Sequence, residues 1–174
     1  MQTPLSKPEL HTKIVMALGE RCIGPTDTSR IPFLTEVKNL GTISFYAFTL
    51  TAPPGGRPPG EFKIQLIVPG QSRGSRGQLD FSQGAFVVLL GWSAEEDVFV
   101  LWDAYAHANF AYSQNLQVAG RYVWLAMPGK LTYCERRLRS GGGTETVVVS
   151  PSSLLVEALA ERIRLSAKRL EALS

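Results

Sequence analysis

The apolar positions of this chain follow a helical period at its two ends and a strand period between them. Ser6-x-x-Glu9 forms a capping box and Pro8 suits a first helical turn, so a helix is expected over residues 7–21. Ile14, Val15, Leu18 and Cys22 recur on its buried side, and Gly24-Pro25 is expected to stop it. Strand-like runs follow over residues 33–38 and 43–51, joined through Asn39-Leu40-Gly41 as a hairpin-type connection. In the next strand, around Lys63, Phe62, Ile64 and Leu66 share one face while Lys63 and Gln65 share the other. Residues 85–90 and 98–102 are continuous apolar runs separated by the acidic turn Glu95-Glu96-Asp97. They read as central strands covered on both faces.

After Asp103 the pattern turns irregular until Tyr112. A short strand is expected over 115–118, a helical turn over 121–127 ended by Pro128-Gly129, and a hairpin of 131–138 with 144–149 around Gly141-Gly142-Gly143. A last helix should open on Ser150 as cap with Pro151 at its first position. Leu155, Leu159, Ile163, Ser166 and Leu170 give it one mostly apolar face, flanked by Glu157, Glu161, Arg164 and Lys168. The fold class is therefore α+β: a mixed, largely antiparallel sheet flanked by an N-terminal and a C-terminal helix. The chain has 174 residues, a length that suits one domain over 1–174.

Composition narrows the setting. No apolar run is long enough to span a bilayer, and the N-terminus lacks a basic-then-apolar leader pattern. Cys22 and Cys134 form neither a disulfide framework nor a metal-ligand spacing. A cytoplasmic protein with no membrane partner is expected. The formal net charge is only +3, so the distribution of charge matters more than its total. Arg57, Lys63, Arg73 and Arg76 stand against Glu61, and Arg121, Lys130, Arg136, Arg137 and Arg139 against Glu135, while acids gather in the 95–97 turn. Such polarisation favours an anionic polymer as partner.

Two segments carry candidate chemistry. Residues 55–77 read as a Pro/Gly loop, the strand around Lys63, and a second Gly-rich loop bearing Arg73 and Arg76. Arginine and lysine supply charge there, and glycine N–H groups such as that of Gly74 supply donors for a phosphate backbone. The bland counterpart is an edge strand between two turns. Residues 103–117 mix Tyr105, Phe110 and Tyr112 with His107, Asn109, Ser113 and several amides, which suits stacking and local hydrogen bonding; a packed irregular loop is the alternative. Catalysis is less well supported. Glu61-x-Lys63 resembles half of a magnesium-dependent nuclease site, with Glu36 or Asp80 as the missing acid. His11 and His107 have no paired metal spacing, Asp103, His107 and Ser113 lack a nucleophile-elbow context, and no phosphate loop opens a helix. No metal, cofactor or catalytic residue is assigned, and the chain reads as a binding module rather than an enzyme.

Three blocks occur in order: Gly56-Arg57-Pro58-Pro59-Gly60-Glu61-Phe62-Lys63-Ile64-Gln65, then Pro69-Gly70-Gln71 with Arg73, then His107-x-x-Phe110-x-Tyr112-Ser113-x-Asn115-x-Gln117. Over residues 7–170 the chain resembles the sulfur-binding domains found ahead of the HNH nuclease domain in McrA-type, modification-dependent restriction enzymes. The resemblance implies a reader of phosphorothioated double-stranded DNA, the targeting part of a type IV restriction enzyme, with a nuclease domain expected beyond Ser174. Sulfur is larger and less strongly hydrated than oxygen, so an apolar cavity would accept it while rejecting an ordinary phosphate oxygen. On this reading Pro69, with Val68 and Ser72, forms one wall and Tyr105 or Tyr112 the other, although Val68 stands where an aromatic residue is expected. Arg21, Arg57, Lys63, Arg73, Gly74 and Arg76 would hold phosphates, and Gln71, His107 and Asn109 would read base edges. Other targets stay open. A flipped-base or plain-duplex reader would draw on Trp92, Trp102 or Trp124. An interaction domain would scatter its cations over several faces. The discriminating geometry is whether Arg57, Lys63, Arg73, Arg76 and His107 gather around Pro69.

Overall fold

The computed structural model describes residues 3–52, 60–139 and 143–174. Helix α1, Lys7–Leu18, starts with the expected capping box: Ser6 Oγ accepts from the Glu9 N–H, and the Glu9 carboxylate accepts from the Ser6 N–H. It stops earlier than Gly24-Pro25 suggests. Gly19 takes φ 57° at the C-cap, and a 3-10 turn, Gly19–Arg21, follows.

A seven-stranded sheet forms the centre. Its strands are β1 (Cys22–Ile23), β2 (Phe33–Val37), β3 (Gly41–Thr49), β6 (Phe86–Ser93), β7 (Val98–Trp102), β11 (Thr144–Pro151) and β10 (Thr132–Arg137), in the spatial order β1-β2-β3-β6-β7-β11-β10. Every neighbouring pair is antiparallel except β3 with β6. The mixed, largely antiparallel sheet with a helix at each end of the chain is thus the architecture the sequence pattern implies.

Alternation along the strands gives the sheet two apolar faces, as side chains of period two require. Ile43, Phe45 and Ala47 of β3, Val88 and Leu90 of β6, and Phe99 and Leu101 of β7 face α1 and the C-terminal helix α3, Leu155–Leu173. Tyr46, Phe48, Val87, Leu89, Val100 and Trp102 face the opposite layer. Two ribbons and a short helix make that layer: β4 (Glu61–Leu66) paired with β9 (Gln114–Ala119), β5 (Arg76–Gln78) paired with β8 (Asn109–Ala111), and α2 (Gly120–Ala126). Residues 86–93 and 98–102 are buried on both faces for this reason, and Phe62, Ile64 and Leu66 are the buried face of β4. The 76–78 and 109–111 ribbon was not visible in the sequence, because three-residue strands carry too little alternation to register.

Helix α3 begins later than expected. Strand β11 runs on through Ser150 and Pro151, a 3-10 turn covers Ser152–Leu154, and Ser150 is a fully buried strand residue rather than a cap. Its buried face is also partly polar. Past Leu159 it continues through Arg162 and Ser166, both buried, while Leu170 is exposed. Arg162 Nε donates to Ser166 Oγ at 3.2 Å, Ser166 Oγ donates to Asp103 Oδ1 at 3.0 Å, and Arg162 Nη1 donates to the Leu101 and Thr146 carbonyls. Asp103 in turn gives its N–H to Glu145 Oε2 at 3.2 Å, and Glu145 Oε1 meets His107 Nε2 at 2.7 Å. A continuous polar chain therefore runs from one side of the sheet to the other at the end of β7.

Tight packing sets a clear test. A Cβ on Gly91 would lie 2.8 Å from Ile64 Cγ2, 3.1 Å from Leu50 and 3.3 Å from Trp102, all fully buried neighbours. Gly91→Ala should therefore destabilise the protein by about 1–3 kcal/mol in urea denaturation, the usual cost of overpacking. A loss below about 0.5 kcal/mol would place Gly91 outside a tightly packed ribbon–sheet contact.

Candidate nucleic-acid interface

Strand β3 changes partner along one edge. It pairs with β2 as far as Phe45, opposite Phe33, and its continuation meets β4 at Thr51, where Thr51 and Lys63 exchange backbone hydrogen bonds of 2.9 Å. Between those points the edge is left to other groups. Lys7, at the start of α1, donates from Nζ to the Ala47 carbonyl and lies 3.8 Å over the Phe48 ring, while the Leu5 N–H reaches Thr49 Oγ1. Two adjoining cavities open over this gap and share Lys7 and Phe48.

The first cavity, about 190 Å³, is lined by Lys7, His11, Ile31, Tyr46, Ala47, Phe48, Ile67, Val68 and Pro69. It is mainly apolar, and Ile31 and Ile67 remain 38% and 37% exposed at its margin. The second, about 310 Å³, continues past Leu5 and Thr49 to Thr51, Lys63 and Gln65. Burial lowers the Lys7 ammonium to about 8, since a charge removed from water is disfavoured. His11 is also pulled below its ordinary value, chiefly by burial, with the Lys7 charge adding to the shift and its bond to Thr28 opposing it. The Thr28 carbonyl lies 2.7 Å from His11 Nδ1, so that nitrogen carries the proton.

The wall carrying Pro69 is built from two consecutive turns. Gln71 N–H bonds to the Val68 carbonyl at 3.1 Å across Pro69-Gly70, with Gly70 at φ 82°, as a type II turn requires. Ser75 N–H bonds to the Ser72 carbonyl at 2.9 Å across Arg73-Gly74, with Gly74 at φ 85°. The Gln71 amide ties the turns together, Oε1 accepting from the Val68 N–H and Nε2 donating to the Ser75 carbonyl. Gly77 completes the brace, because a Cβ there would lie 2.6 Å from Phe110 and 2.7 Å from Gln71. Arg73 is thereby exposed on the second turn. Arg76, beside it on β5, donates from Nε to Asn109 Oδ1 at 2.7 Å across the ribbon.

The expected site residues divide accordingly. Val68 and Pro69 line the apolar cavity, Lys63 its neighbour, and Arg73, Gly74 and Arg76 belong to the adjoining loop and ribbon. Ser72 is exposed in the turn and lines neither cavity. Gln71 is a brace, its amide engaged by backbone. The aromatic wall consists of Tyr46 and Phe48 rather than Tyr105 or Tyr112. Tyr105 packs against Phe81 and Phe86 at 4.9 and 5.3 Å and takes the Val87 N–H on its hydroxyl, and Tyr112 sits half-buried in the turn between β8 and β9. His107 does not join the groove: it is 8% exposed and bound to Glu145. Asn109 stays exposed beside Arg76. Arg21 is at the far end of the first helix from Lys7, roughly 20 Å by helical rise. Arg57 lies outside the described residues.

The alternative chemistries find little geometry. Among the described residues no three His, Cys, Asp or Glu side chains gather as a metal-holding group. Asp80 is bonded by Ser82 and Gln83, which draw it down to about 2. His107 and Asp103 face Glu145 and Ser166 rather than Ser113. Trp92 and Trp102 are buried, leaving Trp124 exposed. No helix among the described residues is long and apolar enough to cross a membrane.

With this geometry in place, comparison with known families supplies an assignment. The family model described as Methylase-associated X1 matches residues 41–159, a span from β3 into α3 that covers most of the sheet. The chain belongs to the Methylase-associated X1 family. Membership ties it to methylases and to the restriction–modification setting. No curated protein and no solved structure matches the chain.

Lys7 and His11, like the walls Tyr46, Phe48, Ile31 and Ile67, are groove residues that the sequence did not point to. One signal was present. A lysine at the first position of a helix opposes the helix dipole, which favours acids there, so Lys7 breaks a local rule for a tertiary reason. Its burial has a pH consequence. The unfolded lysine keeps its proton up to about 10.5 while the folded one releases it near 8, so the unfolded state binds more protons between those values. The burial penalty is fully present below about 8 and is relieved as pH rises. Urea denaturation of wild type and Lys7→Met from pH 7 to about 10 should show wild type gaining stability relative to the variant across that window. A difference independent of pH would mean that Lys7 is not desolvated in the fold.

Proposed function

We propose that this chain is the DNA-recognition module of a restriction–modification system, and that its groove beside Pro69 reads a phosphorothioate in duplex DNA. The observation that carries the reading is the pairing of an apolar cavity with a desolvated cation. Ile31, Tyr46, Phe48, Ile67, Val68 and Pro69 surround the cavity, and Lys7 lines it. A phosphorothioate keeps the negative charge of a phosphate while one non-bridging atom becomes large, polarisable and weakly hydrated. Sulfur loses little on entering such a cavity, whereas a phosphate oxygen would forfeit strong hydration there. The ammonium of Lys7 answers the charge, and anion binding favours its protonated form.

Arg73 and Arg76 on the adjoining loop and ribbon, and Lys63 in the second cavity, would neutralise flanking phosphates, with the Gly74 N–H as a further donor. Asn109, held by Arg76, is the remaining base-edge reader. The module itself performs no chemistry in this reading. Cleavage or modification would belong to a partner domain or chain, in keeping with a family named for its association with methylases.

The test is fluorescence anisotropy with one short duplex carrying either phosphate or a single phosphorothioate, at physiological salt. Wild type should prefer the sulfur form by about tenfold or more, roughly 1.4 kcal/mol. Lys7→Met should weaken binding to the sulfur form by about tenfold, and Arg73→Ala should lower affinity for both duplexes and reduce the salt slope by about 1. Equal binding to the two duplexes would leave a DNA module with another target. Binding to neither would replace the reading with a protein-interaction domain.

A further inference from the structure

His11 lines the apolar cavity at Pro69 and is only 1% exposed, yet one of its ring nitrogens takes no bond inside the fold. Nδ1 carries a proton and donates to the Thr28 carbonyl at 2.7 Å. The ring stacks on Phe33, with centroids 4.8 Å apart and planes 13° from parallel. Among the described residues nothing bonds Nε2, and that atom is not sealed from solvent. It is therefore a lone pair open to the cavity, one helical turn from the Lys7 ammonium that lines the same space.

The charges around the ring decide where its proton goes. Burial disfavours an imidazolium, and the Lys7 charge opposes one as well, while the Thr28 bond acts in the other direction. Among the described residues no carboxylate lines the cavity. Strand β3 brings Tyr46, whose hydroxyl accepts the Asp80 N–H at 2.9 Å, and α3 contributes no lining residue. In the loop that carries Thr28, Asp27 is exposed and bonded by Ser29, and Arg30 is exposed and bonded to Gln83. An anion in the cavity would reverse the balance. A negative charge within hydrogen-bond distance favours the imidazolium, and the added proton would sit on Nε2, facing the ligand. No existing bond is lost in that change, because Nδ1 donates to Thr28 in both forms and Phe33 presents its ring face to the cation.

We propose that His11 is a second ligand-contacting residue of the groove, taking up a proton as an anion enters and meeting it through Nε2–H, so that Lys7 and His11 hold one anionic group between them. The inference rests on the reading of the groove as an anion site and adds that occupancy and the protonation of His11 are linked. By reciprocity, an anion that raises the proton affinity of His11 is itself bound more tightly as pH falls. Lys7 releases its proton only near 8, so it stays charged through the lower range and the dependence there belongs to His11.

The probes are O,O-dimethyl thiophosphate, a monoanion, its neutral trimethyl ester, and the phosphorothioate duplex, each added to the full chain. Nitrogen-15 imidazole spectra from about pH 5.5 to 7.5 report the proton on Nε2 directly. Whichever of the anion and the duplex binds should move the His11 titration upward by about one pH unit or more, and the neutral ester should leave it in place. Affinity should rise by up to about tenfold per pH unit of acidification in wild type and stay flat in His11→Gln. Lys7→Met should move the His11 titration of the free chain upward, since a repelling charge is gone. The wild-type spectra decide the matter even where His11→Gln fails to fold for want of the Phe33 stack. Binding of anion or duplex with an unmoved His11 titration would overturn this inference alone, as would an equal shift with the neutral ester. Failure of both anion and duplex to bind would overturn it together with the reading on which it rests.

Discussion

The architecture depends on how β3 satisfies its two backbone edges. One edge is filled by the parallel pairing with β6, from Ile43–Phe86 to Thr49–Trp92, which places both strands in the doubly covered centre. The other is shared between β2 and β4, and the two partners leave a gap. Unpaired backbone groups are costly when buried, so something must reach the Ala47 carbonyl. Lys7 does so, and together with the Leu5–Thr49 bond it ties the start of α1 to the sheet. The same necessity creates the groove. A strand with continuous partners would have had neither a cavity at Pro69 nor a half-buried lysine beside it.

A second constraint acts at the other end of the central strands. Asp103 ends β7 with its carboxylate inside, and the fold meets that cost with Ser166, the Tyr105 N–H and Arg169. Glu145 receives the Asp103 N–H, His107 and Arg136. Removing one member of such a chain strands its partners, which makes the network more effective at fixing the relative positions of α3, β7, β11 and the 103–107 turn than at adding net stability. His107, whose sequence neighbours suggested an exposed reading loop, is held inside by this arrangement. Its surroundings are set by Glu145, a residue 38 positions away.

That distance explains what the sequence could and could not convey. The capping box at Ser6 and Glu9, the alternation of Phe62, Ile64 and Leu66, and the apolar runs of β6 and β7 are local patterns, and each became the element its pattern implied. The Gly-rich loop that carries Arg73 was legible for the same reason. Tyr46 and Phe48 read as core strand residues, and nothing local distinguishes a core aromatic from one that also lines a cavity at a strand edge. The expected face of α3 is the inward one at Leu155, Leu159, Ile163 and Ser166 but not at Leu170, which is exposed. Beside it Arg162 is buried as well, because the inward Asp103 and the carbonyls of β7 and β11 receive a polar stripe that no local apolar spacing announces.

The surroundings of Lys7 bear on what the Pro69 groove could select. At the Pro69 groove the lysine is desolvated beside aromatic and aliphatic walls, so the site offers charge with few hydrogen-bond donors. On the proposed reading, an anion whose surface demands hydration would gain the charge and lose its water there, and a soft, weakly hydrated one would fare better. The guanidinium of Arg162, by contrast, is fixed by the Leu101 and Thr146 carbonyls and by Ser166, so its donors are spent inside the fold. Charge alone would hold either kind of anion, and the scarcity of hydrogen-bond donors around Lys7 is what would disfavour ordinary phosphate at the groove.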